Sequence, residues 1–132
     1  MAAPPARVVS LVPSLTETVF ALGAAKSLVG RTRYCVEPAA GVEPVQVVGG
    51  PKDPDVDALL ALRQTLVLMS VEENRREDYD RLRASGVDIL PVRVRAVRDV
   101  GPVILELGRR LGAVDAARAM AAEVEGAAEA VV

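Results

Sequence analysis

The chain has no histidine and no tryptophan, and only one cysteine, one phenylalanine and two tyrosines in 132 residues. Without histidine it lacks the commonest general base, the usual activator of a serine or cysteine nucleophile and the commonest metal ligand. Most hydrolytic triads are thereby excluded. Cys35 has no second cysteine to pair with, reads as an inert thiol and leaves the redox compartment undetermined. The few aromatics offer little for bases to stack on, and no Lys/Arg block is interleaved with them, so nucleic acid is not an expected partner. No apolar run approaches the roughly 20 residues of a membrane span. Residues 1–6 hold two prolines and no basic stretch leading into an apolar one, so no signal peptide is predicted in the chain as it stands. The expectation is either a cytoplasmic protein or one whose export segment has been removed.

Nucleotide and nucleophile motifs are missing as well. There is no G-x-G-x-x-G, no G-x-x-x-x-G-K-[ST], no G-x-S-x-G and no C-x-x-C. Glu72 and Glu73 are neighbours in sequence, so on a regular element they point apart instead of flanking a bond. What is abundant is aliphatic: 51% of residues are hydrophobic and the net charge is only −2. That suits a single domain with a large aliphatic core.

The first ordered stretch, Val8-Val9-Ser10-Leu11-Val12-Pro13-Ser14-Leu15-Thr16-Glu17, reads as a buried strand running through a proline into a helix. Ser14 to Glu17 has the form of a capping box, which predicts a helix over residues 14–22 closed by Gly23. Strand and helix patterns then alternate. Strands are expected at residues 28–32, 45–48, 66–71 and 87–94, with Pro91 placing the last at the sheet edge. A helix is expected after Asp53 as cap and Pro54 as first helical residue, with Val56, Leu59 and Leu60 inward. Another spans 74–85 with Tyr79 and Leu82 inward, and a third starts at Asp99 and ends at Gly112. Asp115 is expected to cap a last helix in which Ala117, Met120, Val124 and Val131 recur at helical spacing. That helix looks interrupted at Val132. This βαβα order predicts an α/β fold: a parallel-sheet, Rossmann-like lobe with helices on both faces.

In a parallel sheet, four loops fall at the carboxyl ends of successive strands and line one rim. They carry Pro13 and Ser14, then Tyr34 and Cys35, then Gly50, Pro51 and Lys52, then Ser70, Glu72, Glu73 and Asn74. Hydroxyls, one aromatic face, a cation, two carboxylates and an amide suit recognition better than catalysis. Each also has a structural reading: Ser14 and Glu17 as a cap, and Glu72, Glu73 and Asn74 as favourable charges and dipoles ahead of the following helix.

The combined order of Arg7-Val8-Val9-Ser10-Leu11-Val12-Pro13-Ser14-Leu15-Thr16-Glu17, Phe20-Ala21-Leu22-Gly23, Leu28-Val29-Gly30, Tyr34-Cys35, Gly49-Gly50, Leu59-Leu60-Ala61-Leu62-Arg63 and Leu66-Val67-Leu68 resembles a known family. It is similar to the amino-terminal lobe of helical-backbone (class III) periplasmic solute-binding proteins, the cobalamin and iron-chelate receptors of ABC importers. The resemblance extends over residues 7–132. It implies two α/β lobes joined by one long helix with the ligand between them. Residues 1–112 would then be the amino-terminal lobe and 113–132 the start of the backbone helix, with the second lobe absent.

The resemblance further implies a non-enzymatic receptor with no cofactor or resident metal, whose solute is cobalamin or an iron chelate. Pro13, Ser14, Tyr34, Pro51, Lys52, Ser70, Glu72, Glu73 and Asn74 match ligand-facing segments, and Asp57 matches an acid presented to the permease. Periplasmic or cell-surface location is implied too. Some cobalamin binders carry tryptophans near the positions of Pro51 and Ser70, which this chain does not. Alternative readings are a fragment that binds nothing, an interaction module that dimerises through the last helix, and a Rossmann-type enzyme domain.

Overall fold

Val8, Val9 and Ser10 form the first strand, β1 (Val8–Ser10), and all three are buried. β1 is the middle strand of a five-stranded sheet in a computed structural model that describes residues 6–130. Its companions are β2 (Leu28–Arg31), β3 (Gln46–Val47), β4 (Leu66–Ser70) and β5 (Ile89–Val92). The order is β3-β2-β1-β4-β5 and every pairing is parallel. β5 is an edge strand, where Pro91 removes no ladder donor the sheet needs. The fold is the expected parallel α/β lobe.

Helices cover both faces because alternate strand residues point opposite ways. Val8, Leu66 and Leu68 pack with Leu15 and Val19 of α1 (Pro13–Ala21), Ile104 and Leu107 of α5 (Val100–Leu111), and Ala117 and Ala121 of α6 (Val114–Ala130). Val9, Val67 and Met69 face the other way, against Val56 and Leu59 of α3 (Val56–Ala61) and Leu82 of α4 (Arg76–Ala84). A four-residue helix, α2 (Ala39–Val42), lies in a stretch whose sequence gives no helical signal. No helix among the described residues is long and apolar enough to cross a membrane.

Helix ends hold most of the corrections. Pro13, not Ser14, opens α1, and the N-cap is Val12 with no side-chain cap. The fixed φ of proline suits the first helical position, so Pro13 draws the start back and puts Ser14 inside the first turn, where the capping-box bonds do not form. The other end behaves as read: Gly23 is left-handed at φ 74°, and the N–H groups of Gly23 and Ala24 close onto Phe20 and Val19. α3 is capped by Asp55, whose carboxylate accepts from the Ala58 N–H at 3.0 Å, instead of by Asp53. Pro54 is held in a bridge with Gly49 and cannot open that helix. α6 starts at Val114, so Asp115 lies within its first turn.

α5 and α6 pack closely because Gly108 faces Ala117, where a Cβ on residue 108 would collide with the alanine methyl. Gly112 reverses the chain between them at φ 68°. Met120 and Val124, on the helix through which the interaction-module reading would dimerise, pack against the same core as α1 and α5. The lobe itself supplies their partners. Val131 lies outside the described residues.

Candidate functional site

The chain direction reverses across the sheet between β1 and β4: the connection from β1 leads to β2 on one side, and that from β4 leads to β5 on the other. The two outgoing loops therefore part and leave a crevice at the carboxyl ends of these strands. The crevice is about 230 Å³, and Val12, Ser14, Leu15, Ser70, Glu72 and Glu73 line it together with Val92 and Val94. One wall is the start of α1. Because Val12 offers no side-chain cap, the first-turn N–H groups and the positive end of the helix dipole are left to the crevice. Opposite lie the two carboxylates of Glu72 and Glu73.

Ser70 organises that second wall. Its hydroxyl accepts from the N–H groups of Glu72 at 3.2 Å and Glu73 at 3.3 Å, and it donates to a Glu72 carboxylate oxygen at 3.3 Å. The turn this makes holds both glutamates at the mouth.

Asn74 sits beneath, 7% exposed, with its amide committed internally. It donates to the carbonyls of Leu11 and Pro51, both at 3.1 Å, and accepts from the Ser70 N–H at 2.7 Å. One side chain thus ties the end of β1, the loop after β3 and the end of β4 into one rim.

The remaining expected residues share this rim but not the crevice. Tyr34 follows β2 and is 59% exposed, with the Arg33 guanidinium 5.9 Å from its ring centre. Arg33 makes a two-pronged ion pair with Asp53, both contacts at 3.0 Å, and so fastens the β2 loop to the β3 loop. The bond from Arg33 holds the Asp53 carboxyl below its ordinary range. Pro51 is half-buried, and Lys52 is exposed with no ion pair among the described residues. Asp57 is exposed in the first turn of α3, just beyond the rim. Cys35 is fully buried between the hydroxyls of Thr16 and Thr32, at 3.1 and 3.2 Å, in keeping with an inert thiol.

Val12, Leu15, Val92 and Val94 are lining residues that the sequence does not single out. β5 has its own carboxyl end at the same rim, which makes a fifth loop. The signal was the apolar run itself, once Pro91 is read as an edge residue and not as a strand breaker. Among the described residues, no three His, Cys, Asp or Glu side chains are grouped to hold a metal ion.

An open crevice at the reversal point of a parallel sheet, lined by hydrogen-bonding groups, is the place where open α/β folds take small molecules. The chain belongs to the periplasmic binding protein family, which it matches over residues 8–132. Among solved structures it is similar to the periplasmic vitamin B12 binding protein BtuF of Vibrio cholerae, with a TM-score of 0.84 and 21% identity over 92% of this chain and 48% of that one. It is also similar to the periplasmic heme-binding protein RhuT of Roseiflexus sp. RS-1, at TM-score 0.83 and 25% identity over 93% and 47%. A periplasmic heme binding protein of Pseudomonas aeruginosa gives TM-score 0.84 and 26% identity over 93% and 44%. The chain spans about half the length of each of these proteins. No curated protein matches it by sequence.

Proposed function

We propose that this lobe forms one wall of the solute site of an ABC importer's binding protein, and that the solute is a corrinoid or another metal chelate. The crevice at the β1/β4 reversal carries the reading. It presents helix N–H groups, two hydroxyls and two carboxylates, and its one hydroxyl–carboxylate contact, Ser70 to Glu72, belongs to the turn that holds the wall, which suits capture and release without chemistry. Exposed apolar side chains follow three of the strands at the same rim, Tyr34 after β2, Val71 after β4 and Val94 after β5, and suit a broad ligand with apolar edges and polar substituents. Similar structures bear the names of vitamin B12, heme and molybdate binding proteins, which supports a metal-centred solute without choosing one. Asp57, exposed on α3 beside the rim, is the residue we assign to the permease. The periplasm or cell surface is the corresponding location.

Amide NMR tests the reading. Cyanocobalamin and, separately, diamagnetic gallium protoporphyrin are titrated into the labelled chain. At least one is expected to shift Ser14, Leu15, Ser70 to Glu73 and Val94, and Ser14→Arg, which fills the crevice from an exposed position, is expected to abolish those shifts. If neither probe moves the rim, or if the shifts survive Ser14→Arg unchanged, the reading fails.

A further inference from the structure

A second concavity lies beside the crevice and shares Ser70 with it, on the flank where α4 packs beside the edge strand β5. It is about 550 Å³, and its charged lining is four arginines, Arg75, Arg76, Arg83 and Arg93, with no carboxylate. Met69, Val71 and Pro91 give it an apolar floor, and Tyr79 forms part of the wall.

The arginines differ in how far their charge is already met. Arg75 is committed to Asp78, which is buried, through contacts at 3.0 and 3.3 Å. Arg76 reaches Asp80 at 3.5 Å in a pair open to solvent on both sides, a weak interaction. Arg83 bonds to the Tyr79 hydroxyl at 3.0 Å, a neutral acceptor. Arg93 has no ion pair or hydrogen bond among the described residues. The acids of α4 are spent on Arg75 and Arg76: Glu77 and Asp78 face the first and Asp80 the second. Two guanidinium groups therefore face one apolar-floored groove without a counter-charge. In such a setting like charges repel and the field is focused, so that an anion with more than one acidic group satisfies both forks at once.

We propose that this groove is a binding site for a small anion carrying two or more carboxylate or phosphate groups, next to the crevice but gripped by arginines that do not line it. Arg83 and Arg93 grip the acidic groups, Tyr79 fixes Arg83 in place, and the apolar floor accommodates the body of the molecule.

The test uses citrate and pyrophosphate as separate probes, followed by amide NMR and calorimetry. Saturable binding is expected, with shifts at Tyr79, Arg83 and Arg93. Each of Arg83→Gln and Arg93→Gln should weaken it about fivefold, and the double variant should remove it, since each loses one charge-assisted fork. Both positions are exposed, so circular dichroism should show an unchanged fold. Citrate alone binding identifies carboxylates as the ligand chemistry; pyrophosphate alone identifies phosphates; both identify a general polyanion site. Ser14→Arg should leave this binding intact, which separates it from the crevice. No saturation up to about 10 mM, equal affinity in the double variant, or loss in Ser14→Arg overturns the proposal.

Discussion

Leu11 and Asn74, 63 residues apart, are joined by a hydrogen bond of 3.1 Å from the Asn74 amide to the Leu11 carbonyl. The same amide holds the Pro51 carbonyl, so the shape of the crevice depends on a residue that contributes no surface to it.

Asn74→Ala leaves the Leu11 and Pro51 carbonyls without that donor and the Ser70 N–H without its acceptor, at an expected cost of about 2–3 kcal/mol. Asn74→Asp keeps the acceptor but sets a carboxylate against two carbonyls, and should cost more at neutral pH than the alanine. Part of that loss should return as acid protonates the new carboxyl. Urea unfolding at pH 7 and pH 4 measures both; an Asn74→Ala protein as stable as the parent would show that water replaces the staple.

The Asp53 carboxyl is depressed by its bonds to Arg33. A carboxyl with a lowered folded-state pKa lends stability that is whole above its unfolded-chain value and is lost as pH falls through the folded one. The Arg33–Asp53 latch is thus complete at neutral pH and opens only in acid. Carbon-detected titration should place Asp53 below ordinary aspartates, and Arg33→Gln should return it to the usual range. An unshifted Asp53 in the parent protein would mean that the pair is open in solution.

At the α5/α6 contact, Gly108→Ala puts a methyl against Ala117 and must push the helices apart, costing about 1–3 kcal/mol. Met120→Glu, on the next inward turn of α6, should also lower the melting temperature, because Met120 is packed on the lobe's own core. Thermal melts read both, and sedimentation of the Met120→Glu protein should show the parent's association state. A Met120→Glu protein that melts like its parent but dissociates from a dimer would restore an intermolecular role for this face.

Cyanocobalamin should bind the chain alone only weakly, with a dissociation constant above about 100 µM, because a solute that is normally buried on most of its surface would be covered on one side. Visible absorbance titration decides it. A micromolar complex with the monomer would mean that one wall suffices.

Much of this was open to reading before the fold was known. Alternation of apolar runs and amphipathic stretches placed the strands, and Pro91 placed β5 at the edge. The rim followed from parallel pairing, since residues after successive strands must share an end. Helix starts were less legible: Pro13 opens α1 one residue ahead of Ser14, and Asp55 caps α3 two residues after Asp53. Local patterns do not weigh a competing tertiary demand, and Asp53 is drawn away by Arg33, a residue 20 positions earlier. Asn74 looked like a ligand-facing amide; that its donors are spent on Leu11 and Pro51 follows only from chain segments brought together by folding. The packing of Met120 and Val124 was hidden likewise, since helical spacing shows which residues turn inward but not whether anything awaits them.

The central place of β1 bears on the order in which the protein can assemble. Its β2 partner follows closely, but Arg7 at its threshold bonds to Thr65, 58 residues on, beside the start of β4. During synthesis, the earliest strand must wait beside β2 with one edge unpaired until the fourth has left the ribosome, and contacts of such long span are slow to close. The crevice between β1 and β4 needs that pairing, and Val92 and Val94 at the carboxyl end of β5 complete its lining. No earlier intermediate contains it, so a solute captured there reports that the middle of the sheet has already closed.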